Sequence, residues 1–207
     1  MIMRKVIMMI AAVVMFSSQA AQAQSLDSFL RMLSKSTQES ETEAKSTPVK
    51  VVKLSSDKLR GTWTYSAPAL KYDGDDMLAT IALKGVESYL PSIYAKAGLR
   101  DGVGTLTFTR NREVHAAAGD RKVSGTYSFN SRSSEIVIST KHDGKSFSFR
   151  GTVQMEGEVL VLLFDASETA DLIMKMSSEA AQNDTFKMMK SILDKYPGIK
   201  LGCKMKR

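Results

Sequence analysis

Cysteine is almost missing from this chain of 207 residues: Cys203 stands alone. One thiol closes no internal disulfide, so the fold must be held by its own buried core. Histidine is nearly as scarce. With only His115 and His142 present, most routes to a metal centre or an imidazole acid–base pair are closed. No Gly-x-Ser-x-Gly is present, and no Ser-x-x-Lys stands in a strand-to-helix setting. Gly102-Val103-Gly104 is too short for a phosphate cradle and precedes a strand rather than a helix. Nowhere does the chain offer the roughly 18 consecutive apolar residues of a spanning helix. The basic excess is modest, 29 Lys and Arg against 22 Asp and Glu, or +7. It is dispersed except at Lys200, Lys204, Lys206 and Arg207, which argues for solubility and against a nucleic-acid footprint.

What is present begins with an export signal. Arg4 and Lys5 form a charged start, Val6 to Phe16 an apolar run too short to anchor, and Ala21-Gln22-Ala23 a small-x-small cleavage pattern. The expected cut lies between Ala23 and Gln24, leaving a soluble chain that is periplasmic or secreted. No cysteine follows the apolar run, so a lipoprotein is not expected. Loss of Arg4 and Lys5 leaves 27 basic against 22 acidic residues, or +5.

Residues 24–56 read as a short amphipathic helix followed by a linker. Leu26, Phe29, Leu30 and Leu33 share one face of Ser25 to Leu33. Ser34 to Thr47 is rich in Ser, Thr, Glu and Lys with almost nothing to bury, which reads as a disordered tether. Order returns from Pro48 through Val49, Val51, Val52 and Leu54, and the domain proper is expected over 57–207.

Within that domain the pattern predicts strand, helix, six strands, helix, strand. Arg60 to Ser66 sets Trp63 and Tyr65 against Thr62, Thr64 and Ser66. A helical period follows through Leu78, Ile81, Ala82, Val86, Tyr89, Leu90 and Ile93. Asp73, Asp75 and Asp76 cap its start, Pro91 kinks or restarts it, and Gly98 stops it. Six short runs then span Gly104 to Asp165: the first five alternate apolar with polar, largely hydroxyl-bearing positions, and the last, Glu158 to Asp165, is apolar throughout its middle. A second helical region, Ser167 to Tyr196, carries an apolar stripe and breaks at Asn183-Asp184. Ile199 to Lys206 is the last strand, with Cys203 as buried filler. Eight sequential antiparallel strands, each with one apolar face, bury those faces and lose both edges by closing on themselves. The expected fold is mainly β: an eight-stranded antiparallel barrel with helical insertions after strand 1 and before the last strand. A two-sheet sandwich fits the same alternation.

At Gly61-Thr62-Trp63 the first strand resembles the Gly-x-Trp signature of the lipocalin superfamily. More closely, the chain resembles a family of uncharacterised lipocalin-like proteins exported by Bacteroidetes. The resemblance rests on Gly61 to Ala69, the helix ending at Ala97-Gly98, Gly125-Thr126-Tyr127 and the stretch from Gly198 to Lys206. It covers Asp57 to Arg207. It implies a lipocalin-like barrel whose closed end is plugged by Trp63, and it carries no chemistry over to any residue. Typical lipocalins have a helix after the last strand, whereas here a long helical insertion precedes it.

Candidate chemistry is correspondingly thin. His142 falls in a hairpin turn and His115 in a weak strand, so no metal site and no cofactor is expected. The aspartates at 73, 75 and 76 lack the glycine and glutamate of a calcium loop. The remaining candidate is the interior itself. Tyr65, Phe108, Tyr127, Phe129, Phe147 and Phe149 are expected to face inward, either filling the barrel or lining a site for a small hydrophobic ligand. No catalysis is expected. The alternative is a cell-envelope interaction module contacting a protein or a membrane surface through the helical insertions, where Met174, Met176, Met188 and Met189, with nearby Met205, give an adaptable apolar face. A hydrolase with an unrecognised site stands third.

Overall fold

The computed structural model describes residues 51–52, 54–77, 79–80, 83, 87, 90–96, 98–119, 121–142, 144–176, 181–182 and 184–207. The expected leader, the Ala23–Gln24 cut, the Ser25–Leu33 helix and the tether lie outside them. So do Leu78, Ile81, Ala82, Val86, Tyr89, Ser177 and Asn183. The described elements run β1 (Val51–Val52), α1 (Ser56–Leu59), β2 (Gly61–Tyr72), α2 (Leu90–Lys96), β3 (Thr105–Phe108), β4 (Glu113–Ala118) and β5 (Arg121–Asn130). They continue with β6 (Glu135–His142), β7 (Lys145–Glu156), β8 (Val159–Asp165), α3 (Ala166–Met176), α4 (Asp184–Lys195) and β9 (Ile199–Lys206).

Strands β2 to β9 form a closed eight-stranded antiparallel barrel. Each pairs with its sequence neighbour, and β9 pairs with both β8 and β2, from Thr64↔Lys206 to Tyr72↔Ile199. No sandwich forms. β1 adds two residues to β7 alone, Val51↔Glu156 and Val52↔Met155, beyond the last β6–β7 pair at Thr152. Together with buried Leu54, β1 places ordered structure upstream of Asp57.

β2 departs most from the sequence pattern. It continues past Ser66 to Tyr72 through a register shift between Tyr65 and Ala67. That bulge lets Pro68, which has no N–H to give, stand opposite Cys203 inside a strand. The helical insertions follow the caps closely. Asp76 Oδ1 accepts the Ala79 N–H at 3.0 Å, and Pro91 lies within the described helical run Leu90–Lys96. Gly98 ends it at φ +90°, with the Gly98 N–H bonded to the Ala95 carbonyl and the Leu99 N–H to the Tyr94 carbonyl. Asp165 caps α3 by accepting the Glu168 N–H at 2.8 Å.

One end of the barrel is sealed by local geometry around Trp63. Gly61 turns into β2 at φ +116°, a conformation that other residues rarely adopt. This sets Trp63 pointing down at α1, where its Nε1–H donates 2.8 Å to the Leu59 carbonyl and only 2% of the residue is exposed. The Arg207 guanidinium lies 4.7 Å over the indole. It also donates to the carbonyls of Lys58 (2.8 Å) and Arg60 (3.1 Å), tying the end of β9 to both ends of α1's last turn.

Replacing Trp63 by Phe keeps a ring but leaves the buried Leu59 carbonyl unpaired. Such a loss costs about 1–3 kcal/mol, so the urea midpoint should fall accordingly while the far-ultraviolet β signal at low urea stays intact.

Candidate functional site

The barrel interior gathers the inward residues of all eight strands into one apolar core. All six sequence-predicted aromatics reach it. Phe108 and Tyr127 meet edge-to-face with centroids 4.9 Å apart, and the Tyr127 hydroxyl donates 3.0 Å to the Thr109 carbonyl. Phe149 is fully buried with Ile138 opposite it. Tyr65 stacks against Tyr94 at 5.9 Å. Phe129 and Phe147 pack against the same core but are only half-buried, as is Val123.

The less filled side has a structural cause. The β5–β6 ladder begins at Asn130↔Glu135 and ends at Gly125↔Thr140, before either strand does. Beside that parting, Val114, Ala116, Val123, Ser124, Gly125, Ile138 and Thr140 line a cavity of about 10 Å³, room for one water.

The other end of the barrel, its mouth, is covered by both helical insertions. Sequence reasoning identified their apolar stripes but not their destination. Tyr94, from α2, is completely buried, and its hydroxyl donates 2.6 Å to the Gly202 carbonyl in β9. Leu90 and Leu99 join the same core. Ala166, Ala170 and Ile173 of α3 meet Phe186 and Leu193 of α4 over Ile199. Leu70, Tyr72 and Leu201 at the upper ends of β2 and β9 pack beneath them. The two helices are clamped by Lys190, whose ammonium lies 3.1 Å from Asp171 and 2.5 Å from Asp194, while Ser167 also donates to Asp194.

No Asp, Glu, Lys, Arg or His side chain is buried in this interior among the described residues. Among the described residues the only fully buried polar side chain apart from the tyrosines is Thr169, and its hydroxyl bonds the Asp165 carbonyl at 2.6 Å. Burial pushes the Cys203 thiol up to about 12 and raises the hydroxyls of Tyr94 and Tyr65 as well. All three therefore stay neutral at physiological pH. Such an interior can exclude water and hold apolar matter.

The titratable clusters sit outside. Of the three aspartates, Asp76 caps a helix, whereas Asp73 bridges Lys200 (2.6 Å) and Lys71 (2.7 Å) at the rim where β2 and β9 end. On the outer wall, His115 Nδ1 lies 2.9 Å from Ser124 Oγ and its Nε2 lies 3.8 Å from Glu113. Sequence reasoning missed this trio. Glu113 is two residues away on the same strand face, and register places Ser124 opposite His115. All three are exposed, and their strands' backbone N–H groups are committed to ladders, which leaves no oxyanion donors. Among the described residues no three His, Cys, Asp or Glu side chains gather as a metal site.

Compared with known proteins, the family model described as lipocalin-like domain (DUF4923) matches residues 32–207, the span holding the whole barrel and its mouth helices. No curated protein and no solved structure matches the chain.

The rim bridge predicts a pH dependence. Hydrogen bonds from Lys200 and then Lys71 lower the Asp73 pKa, so its contribution is complete above the ordinary carboxylate range and fades as pH falls through the lowered value. Both lysines are partly exposed, so the effect is small, about 0.5–1 kcal/mol. Asp73→Asn should lower the urea midpoint at pH 7, and the difference from wild type should shrink as pH falls below the ordinary carboxylate range.

Proposed function

The chain belongs to the lipocalin-like domain family (DUF4923), and on that premise we propose that it is an exported, non-catalytic protein that holds a small hydrophobic molecule inside its barrel. The observation that carries this reading is the partition of the molecule. The inner wall is apolar and aromatic from Trp63 to the mouth, the rim and outer wall take the charge, and the mouth is roofed by inserted helices. Tyr65, Phe108, Tyr127, Phe129, Phe147 and Phe149 are the lining we assign to the ligand, with Phe129 and Phe147 the least committed to the closed core. Export to the periplasm or beyond rests on the leader read from Met1 to Ala23. The closer kinship with exported Bacteroidetes proteins carrying Gly-x-Trp belongs to the same reading.

A drug-sized ligand needs a cleft of roughly 300 Å³ or more, far above the water-sized space beside β5 and β6. In this reading, loading moves a roof element to open that space among the described residues. Tyr94 is the natural one, since one hydroxyl bond to Gly202 and one ring stack hold it between the wall and the mouth. The competing role, an envelope interaction module built on the helical insertions, has less to work with. The apolar faces of α3 and α4 already cover the mouth, leaving Met77 and Val103 as the large exposed apolar residues among those described.

Native mass spectrometry of the chain isolated from its own host, followed by organic extraction, tests the reading directly. A reproducible added mass that extracts as an apolar compound is expected, and a clean apo mass that also fails to take up an apolar fluorescent probe overturns it. Tyr94→Ala, which opens the mouth, should increase probe binding severalfold over wild type. An unchanged or weaker signal would show that the roof does not guard the site.

A further inference from the structure

Among the described residues β8 is unusual in being buried on both faces. Leu160, Leu162 and Phe164 face the core, whereas Val161 and Leu163 point to the outer side of the barrel and yet are only 3% and 4% exposed. Two strands away, Ala69 is equally hidden, and Gly202 between them on β9 supplies no side chain to do the covering. The outer faces of β4 and β5 show the contrast: Glu113, His115, Lys122, Ser124, Thr126 and Ser128 are all exposed.

The buried residues of α1 to α4 pack elsewhere. α2 belongs to the barrel core, α3 and α4 to the mouth, and Val159 is the one further described apolar residue packed on the outer cluster. The chain does, however, arrive at this place. Val51 pairs with Glu156, which on its other edge pairs with Val159, so the polypeptide before β1 emerges across β7, one strand from the start of β8.

We infer that the outer row of Ala69, Val161 and Leu163 is the seat of the chain's own amphipathic segment, Ser25 to Leu33, folded back along β8. Downstream of the expected Ala23–Gln24 cut, that segment holds an apolar stripe, Leu26, Phe29, Leu30 and Leu33, whereas Ser34 to Thr47 has almost nothing to bury. Reach is ample. Residues 34–50 extend up to about 55 Å, against about 13 Å from Val159 to Leu163 along a strand. The family match starts at Met32, so it takes in the connection and the end of the segment at Leu33, with Leu26, Phe29 and Leu30 just before it. The occupant is therefore part of the same molecule, and its release would uncover an apolar stripe on the barrel and another on the segment.

Thiol labelling of the full chain tests this, with Leu163→Cys as the probe and Cys203, half-buried against the barrel core, as an internal reporter whose labelling rate in the wild type sets the baseline for unfolding. With the segment intact the new thiol should label slowly. Adding Phe29→Asp and Leu30→Asp should raise its rate at least tenfold while Cys203 keeps its wild-type rate. Rapid labelling with the segment intact, or a rate indifferent to the two aspartates, overturns the inference. Should the variant unfold and Cys203 label above that rate, a Phe29→Cys, Val161→Cys pair decides the matter. An intramolecular disulfide under mild oxidation supports the docking, and no disulfide, or one recovered only between two copies, refutes it.

Discussion

Pairing between β9 and β2 is the constraint from which the remaining structure follows. Once Ile199 to Lys206 lies between β8 and β2, every strand has two neighbours and the sheet has an inside. An alternating strand then has one face that must be apolar and one that can be wet, so the two-residue rhythm of the sequence becomes a separation of chambers. The same pairing delivers Arg207 to the indole of Trp63 at the bottom and Gly202 to the hydroxyl of Tyr94 near the mouth. Both closures of the barrel are thus fastened to its closing strand.

This separation also shapes what the molecule can do. Polarity outside is organised as cross-strand rows, such as Thr62 bonded to Thr107 and Ser139 to Ser148, with charge at the rim and on the helices. Inside, among the described residues, the titratable groups are tyrosines and a thiol that burial keeps neutral. The Glu113, His115 and Ser124 trio illustrates the difference between a constellation and a site. Its spacing is suggestive, but a flat ladder provides neither seclusion from water nor free backbone donors.

Most of the barrel was legible because burial on one face imposes period two, and each turn is marked by Gly, Asn or Asp. The inward aromatics were legible for the same reason. What was not legible depended on register or on tertiary placement. Pro68 reads as a stop, and only pairing with β9 reveals that a bulge carries β2 past it. Ala170, Ile173, Phe186 and Leu193 announce that a helix face is buried without saying against what, and the mouth is assembled from pieces distant in sequence. Val51 and Val52 form too short a strand to be told from linker. Arg207 reads as one of several tail cations, since nothing local points it at Trp63. Likewise the unbroken apolar run in β8 signals two buried faces but leaves the cover of the second unnamed.

The contacts that fasten the barrel shut are also among the most distant along the chain. Ser66 bonds the Lys204 carbonyl across 138 residues, and Arg207 reaches Lys58 across 149. Hairpins from β3 to β8 can form early from neighbouring residues, whereas closure must await a long loop being brought together, with its entropy cost. Folding of this chain should therefore be slow and end-weighted. The meander comes first and the seam last, and until the seam forms an apolar sheet with two open edges is the species that chaperones, proteases and its own copies encounter.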